Sequence, residues 1–361
     1  MDTCFVTGAT GFIGARLVQA LLERGYAVRA LSRREDPPSP PGLEQAADLW
    51  QRPGVELVRG DITDRSSLER GVRGCRYVFH LAAYAKNWAA DPATYHRLNV
   101  EGMRHVFAAA RKSGAERIVW TSSIVTFGPT PRGTVGNEET PRATEHFFTE
   151  YERTKTLAER EALDEAARGL PVVVVNPTRV YGPGHLTEGN ALARLIDDYD
   201  RGRVPLLLNR GVNVGNYVFV DDVVDGHVLA LQKGRLGERY ILGGENASLR
   251  EFFGTIDRVS GRRHFQIPLF TVAPLLFAAF QELRARCFGV YPTITPGWVR
   301  TFLADWAYES GKARRELGYR PTPLEEGIRT TYQWLLGVPR ERRAGSGRIA
   351  KQGECHHGRR P

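Results

Sequence analysis

The chain has 361 residues, 42% apolar and 25% charged, enough for a sizeable core in one large domain or two interlocked ones. Its formal charge of +9 would suit a nucleic-acid partner. However, Arg340, Arg342, Arg343, Arg348, Lys351, Arg359 and Arg360, set against Glu341 and Glu354, place +5 of it in the tail 338–361, which has no apolar periodicity and is expected to be disordered. That leaves +4 on the body, which argues against nucleic-acid binding.

Taken in chain order, Thr3 to Thr7 reads as a strand and Gly8-Ala9-Thr10-Gly11-Phe12-Ile13-Gly14 as a glycine turn. An amphipathic helix to Arg24 follows, then Gly25 and a second strand, Tyr26 to Ser32. Glycines at i, i+3 and i+6 allow a sharp turn, close backbone approach to a pyrophosphate and tight helix packing, and the helix N-terminus favours the phosphate charge. The flanking strand and helix supply the context this motif needs.

The second strand ends in Arg33-Arg34 with no acid, whereas an NAD site commonly places a carboxylate there for the ribose hydroxyls. Arg33 offers a guanidinium fork for a 2′-phosphate, so NADP is favoured and NAD stays open. The bland alternative is a surface turn, since Glu35 and Asp36 follow at once. A third strand, Val55 to Arg59, leads to Gly60-Asp61-Ile62. There Asp61 either accepts from an adenine amino group or caps the helix over Ser66 to Val72.

Tyr77 to Leu81 is the fourth strand. Pro92 to Lys112 forms one long amphipathic helix stopped at Gly114, and Arg117 to Thr121 is the fifth strand. This rhythm of strand and helix predicts an α/β, Rossmann-type doubly wound parallel sheet, with ligands beyond the carboxyl ends of the strands, where Gly8, Asp61, Ala82 and Ser122 emerge. A Gly/Pro/Thr-rich loop, Phe127 to Glu145, precedes a helix from Thr149 to Arg168, which puts Tyr151 and Lys155 one turn apart on one face. An ordinary tyrosine titrates near pH ~10, and a neighbouring ammonium would lower that value and make Tyr151 a usable acid or base, with Ser122-Ser123 at the preceding strand end.

Val172 to Val175 is a buried strand. Beyond it come a helix near Leu192 to Asp200, short strands around Val204 and Tyr217, a helix capped by Asp221-Asp222 and a strand at Tyr240 to Leu242. The most apolar stretch, Ile267 to Phe280, is too short to span a membrane and contains Pro268 and Pro274. It reads as a buried or interfacial helix, with weak membrane-surface contact as the minority alternative. Cys4, Cys75, Cys287 and Cys355 lack metal-ligand or disulfide spacing, Cys355-His356-His357 is treated as incidental, and the chain enters its first strand without a leader. A cytoplasmic protein without a metal site is expected.

Thr7 to Gly14, Gly60-Asp61, His80 to Ala83, Asn99 to Gly102, Thr121-Ser122-Ser123, Tyr151 to Lys155, Asn176-Pro177, Tyr181 to Gly184, Val220 to Val223 and Leu317 to Pro321 occur in the order found in extended short-chain dehydrogenases/reductases. Within that superfamily the chain most resembles the dihydroflavonol-reductase-like branch, which includes hopanoid-associated sugar epimerase-like proteins. The resemblance implies Ser123, Tyr151 and Lys155 as the catalytic set, with Asn99 supporting a proton relay. It implies a cofactor site of Gly8, Thr10, Gly11, Phe12, Ile13, Gly14, Arg33, Arg34, Asp61, Ile62, Leu81, Ala82, Ala83, Ser122, Tyr151, Lys155 and Pro177. It also implies a homodimer through the helix carrying Tyr151 and its neighbour from Pro92.

Ile124-Val125 stand where sugar-nucleotide dehydratases carry Asp-Glu, which disfavours dehydration. Asn213 to Tyr217 lacks the Gln-x-Arg-Asp arginine that clamps a diphosphate in many epimerases, leaving Arg179 or Arg210 as other phosphate partners. Tyr84, Trp88, Phe127 and Tyr181, with Lys86 and Tyr217, are candidates to line an apolar pocket for a small ring-bearing or lipid-like carbonyl compound. The expectation is a nicotinamide domain over 1–176, a smaller α/β substrate lobe over 177–337 with segments near 205–242 returning to the first domain, and the tail beyond. Carbonyl–alcohol interconversion is the leading reading, and NAD(P)-dependent sugar epimerisation is the alternative.

Overall fold

The computed structural model describes residues 1–43, 46–204 and 206–338, so all of the basic tail but Val338 lies outside the described residues. The strands are β1 (Thr3–Thr7), β2 (Ala27–Ser32), β3 (Val55–Arg59), β4 (Tyr77–His80), β5 (Arg117–Thr121), β6 (Val172–Pro177), β7 (Arg179–Tyr181), β8 (Leu206–Leu208), β9 (Val214–Phe219), β10 (Arg239–Leu242), β11 (Glu245–Ser248) and β12 (Ile267–Leu269). Seven of them make one parallel sheet in the order β10-β6-β5-β4-β1-β2-β3. Along β6, Val173 and Val175 join one core and Val172 and Val174 the other, the period of two that a strand buried on both faces requires.

The helices are α1 (Phe12–Glu23), α2 (Arg65–Val72), α3 (Ala93–His96), α4 (Gly102–Ser113), α5 (Glu150–Ala167), α6 (Ala191–Asp200), α7 (Val220–Lys233), α8 (Leu249–Ser260), α9 (Val272–Phe288), α10 (Pro296–Leu303), α11 (Gly311–Leu317) and α12 (Leu324–Gly337). Leu17 and Leu21 of α1, Val224 and Val228 of α7 and Leu317 of α11 cover one face of the sheet. Leu68 of α2, Met103 and Phe107 of α4 and Ala158 and Ala162 of α5 cover the other. A third core lies among β7, β9, α6, α8 and α12, where Tyr199 stacks on Phe253 at 4.2 Å and Tyr217 on Phe252 at 4.5 Å.

Four sequence expectations change. The segment expected as one helix from Pro92 to Lys112 is α3, a π-helical turn over Arg97–Glu101, and α4. The strand expected near Val204 lies at Leu206–Leu208. Asp221 and Asp222 do not cap α7: Phe219 is its N-cap, and the two carboxylates lie in its first turn. Ile267 to Phe280 is neither one helix nor mostly buried, Pro274 and Ala278 being its buried residues. It comprises β12, paired with β8, and the start of α9, with Phe270, Phe277 and Phe280 exposed. Among the described residues no helix is long and apolar enough to cross a membrane.

Candidate active site

At the end of β1 the chain turns at Gly8, whose φ of +72° suits glycine, and Gly11 N–H donates to the Gly8 carbonyl at 2.9 Å. A Cβ on Gly8 would lie 2.7 Å from the Ala82 nitrogen, and one on Gly14 would lie 2.1 Å from the Gly8 oxygen. The turn is therefore pressed between Leu81-Ala82 and the start of α1. Gly11 caps α1 with no side-chain hydrogen bond and no acid in the first turn, which leaves that helix end suited to an anion.

Arg16, which the sequence reading passed over, is buried on α1. It donates to the carbonyls of Gly42 at 2.7 Å and Pro183 at 2.8 Å and pairs with Asp221 at 2.6 Å. These bonds hold the Tyr181-Gly182-Pro183-Gly184 loop over the glycine turn, where a Cβ on Gly184 would lie 2.8 Å from the Phe12 ring. The signal was an arginine inside an otherwise apolar run, matched by the acid in Val220-Asp221-Asp222.

Arg33 and Arg34 follow β2 as exposed residues, and among the described residues neither side chain makes an ion pair. Glu35, the nearest competing acid, pairs with Arg59 instead. Asp61 accepts from the Thr63 N–H and hydroxyl at 2.9 and 2.8 Å, and the cap of α2 is Asp64, so Asp61 is not the helix cap. Ile62 is buried against Gly102, Thr10 and Ala83 are exposed, and Ile13 is half-buried.

At the end of β5, Ser122 is buried with its hydroxyl unpartnered, and Ser123 caps a short 3₁₀ turn, Ile124–Thr126. Across from it the first turns of α5 present Tyr151 and Lys155. Burial raises the Tyr151 phenol above the ordinary tyrosine range, and a hydrogen bond with the Ser123 hydroxyl pulls it partly back. Lys155 Nζ donates to the Thr121 carbonyl at 2.8 Å and lies over the Trp120 ring. Burial holds its ammonium down to about 7, against a smaller upward pull from Glu159. The lowered tyrosine pKa expected from a neighbouring ammonium is therefore not found: burial raises the phenol, and the group that opposes it is Ser123 rather than Lys155. His80 is a packed histidine, bonded to Thr7 Oγ1 at 2.6 Å and pushed down to about 3 by burial and by the Lys155 charge.

The Ser123 loop is anchored by Asn176, a motif residue given no role from the sequence, and by charged groups the sequence reading did not single out. Asn176 Nδ2 donates to the Ser123 carbonyl at 3.2 Å and to Glu159 at 2.6 Å, and Arg239 closes the network onto Glu159 at 3.0 Å. Arg142 bonds the Val125 carbonyl at 3.0 Å and pairs with Glu152 at the start of α5. These partners are far apart in sequence, and each charge lies in a stretch of other polar residues, so no local signal marks them.

Asn99 lies buried in the π-helical turn. Its Oδ1 accepts from the Tyr84 N–H at 2.7 Å, and its Nδ2 donates to the Tyr84 carbonyl at 3.2 Å and to Thr154 at 3.1 Å. It thus ties the Tyr84–Trp88 loop to α5. Tyr84 and Trp88 are part-exposed, with Trp88 edge-on to Tyr291 at 5.9 Å and Lys86 over the Tyr84 ring.

Phe127, Tyr181 and Tyr217 are not exposed beside that loop but buried in cores. Phe127 is packed with Ile241 and Tyr308, the Tyr181 hydroxyl donates to the Leu324 carbonyl, and Tyr217 stacks on Phe252. They fill cores because the strands and loops carrying them are covered by α8, α12 and the 304–308 segment, which a local reading cannot see. Pro177 is buried at the end of β6 beside Leu242.

A family model described as the NAD dependent epimerase/dehydratase family matches residues 4–243. The chain belongs to that family. Among relatives of this member of the NAD dependent epimerase/dehydratase family, a putative dihydroflavonol 4-reductase of Synechocystis sp. is 34% identical over 340 residues, covering 92% of this chain and 94% of the relative. Sterol demethylase protein B of Methylococcus capsulatus is 33% identical over 343 residues, covering 92% and 98%. The crystal structure of gox2253 superposes with a TM-score of 0.77 at 32% identity, over 93% of this chain and 98% of that one. The chain is thus an enzyme of a nicotinamide-dependent family, with the Rossmann-type fold and the extended short-chain dehydrogenase/reductase membership that its motifs imply. Its residues suit a dinucleotide: the Gly8 and Gly14 cradle has no room for a Cβ, and the orphaned Ser122 hydroxyl needs a partner at the strand end.

Proposed function

We propose that the chain is an NADP-preferring oxidoreductase that interconverts a carbonyl and a secondary alcohol on a lipophilic, ring-bearing small molecule. The observation carrying this reading is the meeting of Ser123 with Tyr151, and of Lys155 with the Thr121 carbonyl, beside the glycine turn. Bound at that turn, the coenzyme supplies or accepts the hydride. Gly8, Gly11 and the α1 N-terminus hold its phosphates, Arg33 and Arg34 take the 2′-phosphate, and Lys155 binds the nicotinamide ribose. Ser123 positions the substrate oxygen by hydrogen bonding. Tyr151 gives that oxygen its proton in reduction and takes it back in oxidation. The Lys155 ammonium, one helical turn away, is the charge that would oppose the burial that raises the phenol. Asn99 acts as a positioning residue, holding the Tyr84–Trp88 loop against α5.

A nucleotide-sugar substrate is less well supported. Arg179 is engaged with the Thr301 carbonyl and lies over Tyr217 and Phe302, so it is not poised for a diphosphate. The relatives' names, a dihydroflavonol reductase and a sterol demethylase protein, support a ring-bearing substrate.

The test is titration with NADPH and NADH, followed by a panel of cyclic ketones read by loss of reduced-coenzyme absorbance. Tighter binding of NADPH is expected, with turnover that falls about 10²–10⁴-fold in Tyr151→Phe while NADPH binding is kept. A wide preference for NADH would sink the role given to Arg33. Coenzyme that survives purification and is not consumed would favour epimerisation.

A further inference from the structure

Helix α9 is built inside out for a helix bathed in water. The positions it turns toward the protein are Pro274, Ala278, Gln281 and Ala285, while Leu276, Phe277, Phe280, Leu283 and Phe288 face outward. The face continues into the preceding segment, where Phe265 is 81% and Phe270 83% exposed. Every exposed phenylalanine among the described residues lies between Phe265 and Phe288. A contiguous apolar surface of this kind marks a docking site.

The charges around it point to the occupant. Exposed Arg262 and Arg263 precede the face and Arg284 and Arg286 close it; Arg262 pairs with Asp200 at 3.2 Å and Arg286 with Glu282 at 2.5 Å, while among the described residues Arg263 and Arg284 make no ion pair. Apolar rings bordered by arginines are the composition of an interfacial segment on anionic lipid, and a second copy of the same face would bring like-charged borders together. The helix holds Glu282, Arg284 and Arg286 and cannot cross the bilayer, so it lies along it.

We infer that the Phe265–Val290 face docks on an anionic phospholipid surface, with Phe270, Phe277 and Phe280 seated among the acyl chains. Tyr291, just beyond this face, meets Trp88 edge-on at 5.9 Å, so the docked surface is continuous with the loop beside the candidate active site. Delivery of a lipophilic substrate along that path rests on the function proposed above; the docking itself does not.

The experiment is flotation of the full chain with phosphatidylcholine vesicles, with and without phosphatidylserine, alongside the triple variant Phe270→Ser, Phe277→Ser, Phe280→Ser and the variant Arg263→Glu. The wild-type chain floats with phosphatidylserine vesicles, the triple variant binds roughly a hundredfold more weakly, and Arg263→Glu weakens only the anionic-lipid component. NADPH binding by both variants is unchanged, which certifies their fold without calling on turnover. A wild-type chain that stays unbound overturns the inference. Undiminished binding by the triple variant also overturns it, assigning the attraction to basic residues such as Arg359 and Arg360. A wild-type dimer that the triple variant dissolves, with no lipid binding by either, overturns it in favour of a second copy.

Discussion

Tyr151 and Lys155 lie one helical turn apart, and burial moves them in opposite directions: the phenol upward, the ammonium down to about 7 from 10.5. Both shifts favour the neutral form, as desolvation must. The lysine shift has a consequence for stability. Between about pH 7 and 10.5 the unfolded chain binds the lysine proton more readily than the folded one, so the ligand-free protein gains stability as pH rises through that window. Lys155→Met removes this contribution, and thermal melts of the variant between pH 7 and 10 should rise less steeply with pH than those of the wild type. Equal slopes would assign the effect to other groups. The grouping of Ser123, Tyr151 and Lys155, proposed above as catalytic, was legible in sequence because a Tyr and a Lys four apart declare a shared helix face, and Thr121-Ser122-Ser123 stands at a strand end. Which aromatic rings stay open beside it was not, because Phe127, Tyr181 and Tyr217 are aromatic like Tyr84 and Trp88, and only tertiary packing decides which rings are covered.

Helices α1 and α7 pack through Leu17, Leu21, Val224 and Val228, and the buried Arg16 ties them further to the loops over the glycine turn. Arg16 sits with 9% of its side chain exposed and satisfies two loop carbonyls as well as Asp221. Asp221 is half exposed, so the ion pair itself adds little, and the weight falls on the Gly42 and Pro183 carbonyls that would otherwise lack a donor. Arg16→Met keeps the stem and loses the donors. Urea unfolding should report a loss of about 1–3 kcal/mol, with weaker NADPH binding as the Pro183-Gly184 loop loosens over Phe12. Unchanged coenzyme affinity would separate the loop from the site. At this scale the strands were legible: β-branched runs such as Val172–Val175 bounded by turn residues leave little choice. The π-helical turn over Arg97–Glu101 was not, since nothing in its composition departs from helical periodicity, and what holds Asn99 in place is tertiary, its bonds to Tyr84 and Thr154. The exposure of α9 was equally hidden, because an apolar run is normally read as core.

For the molecule as a whole, the sheet order β10-β6-β5-β4-β1-β2-β3 separates chain order from spatial order at one edge. Strand β6 pairs with β5 on one side, and its other side waits for β10, with β7, β8, β9 and α7 intervening in sequence. Val174 to Pro177 meet Arg239 to Leu242 only after that excursion, a non-local closure of the kind that slows folding. A chain cut after Thr178 should therefore collect in the insoluble fraction and fail to bind NADPH, since it lacks both the strand that covers β6 and the α7 packing on α1. A soluble, coenzyme-binding fragment would show instead that the first six strands suffice. During synthesis the ribosome releases α5 and the glycine turn well before their last neighbour exists. The nascent chain thus carries an open, valine-lined edge while β7, β8, β9 and α7 are made, and it is in that interval that a chaperone would have most to protect.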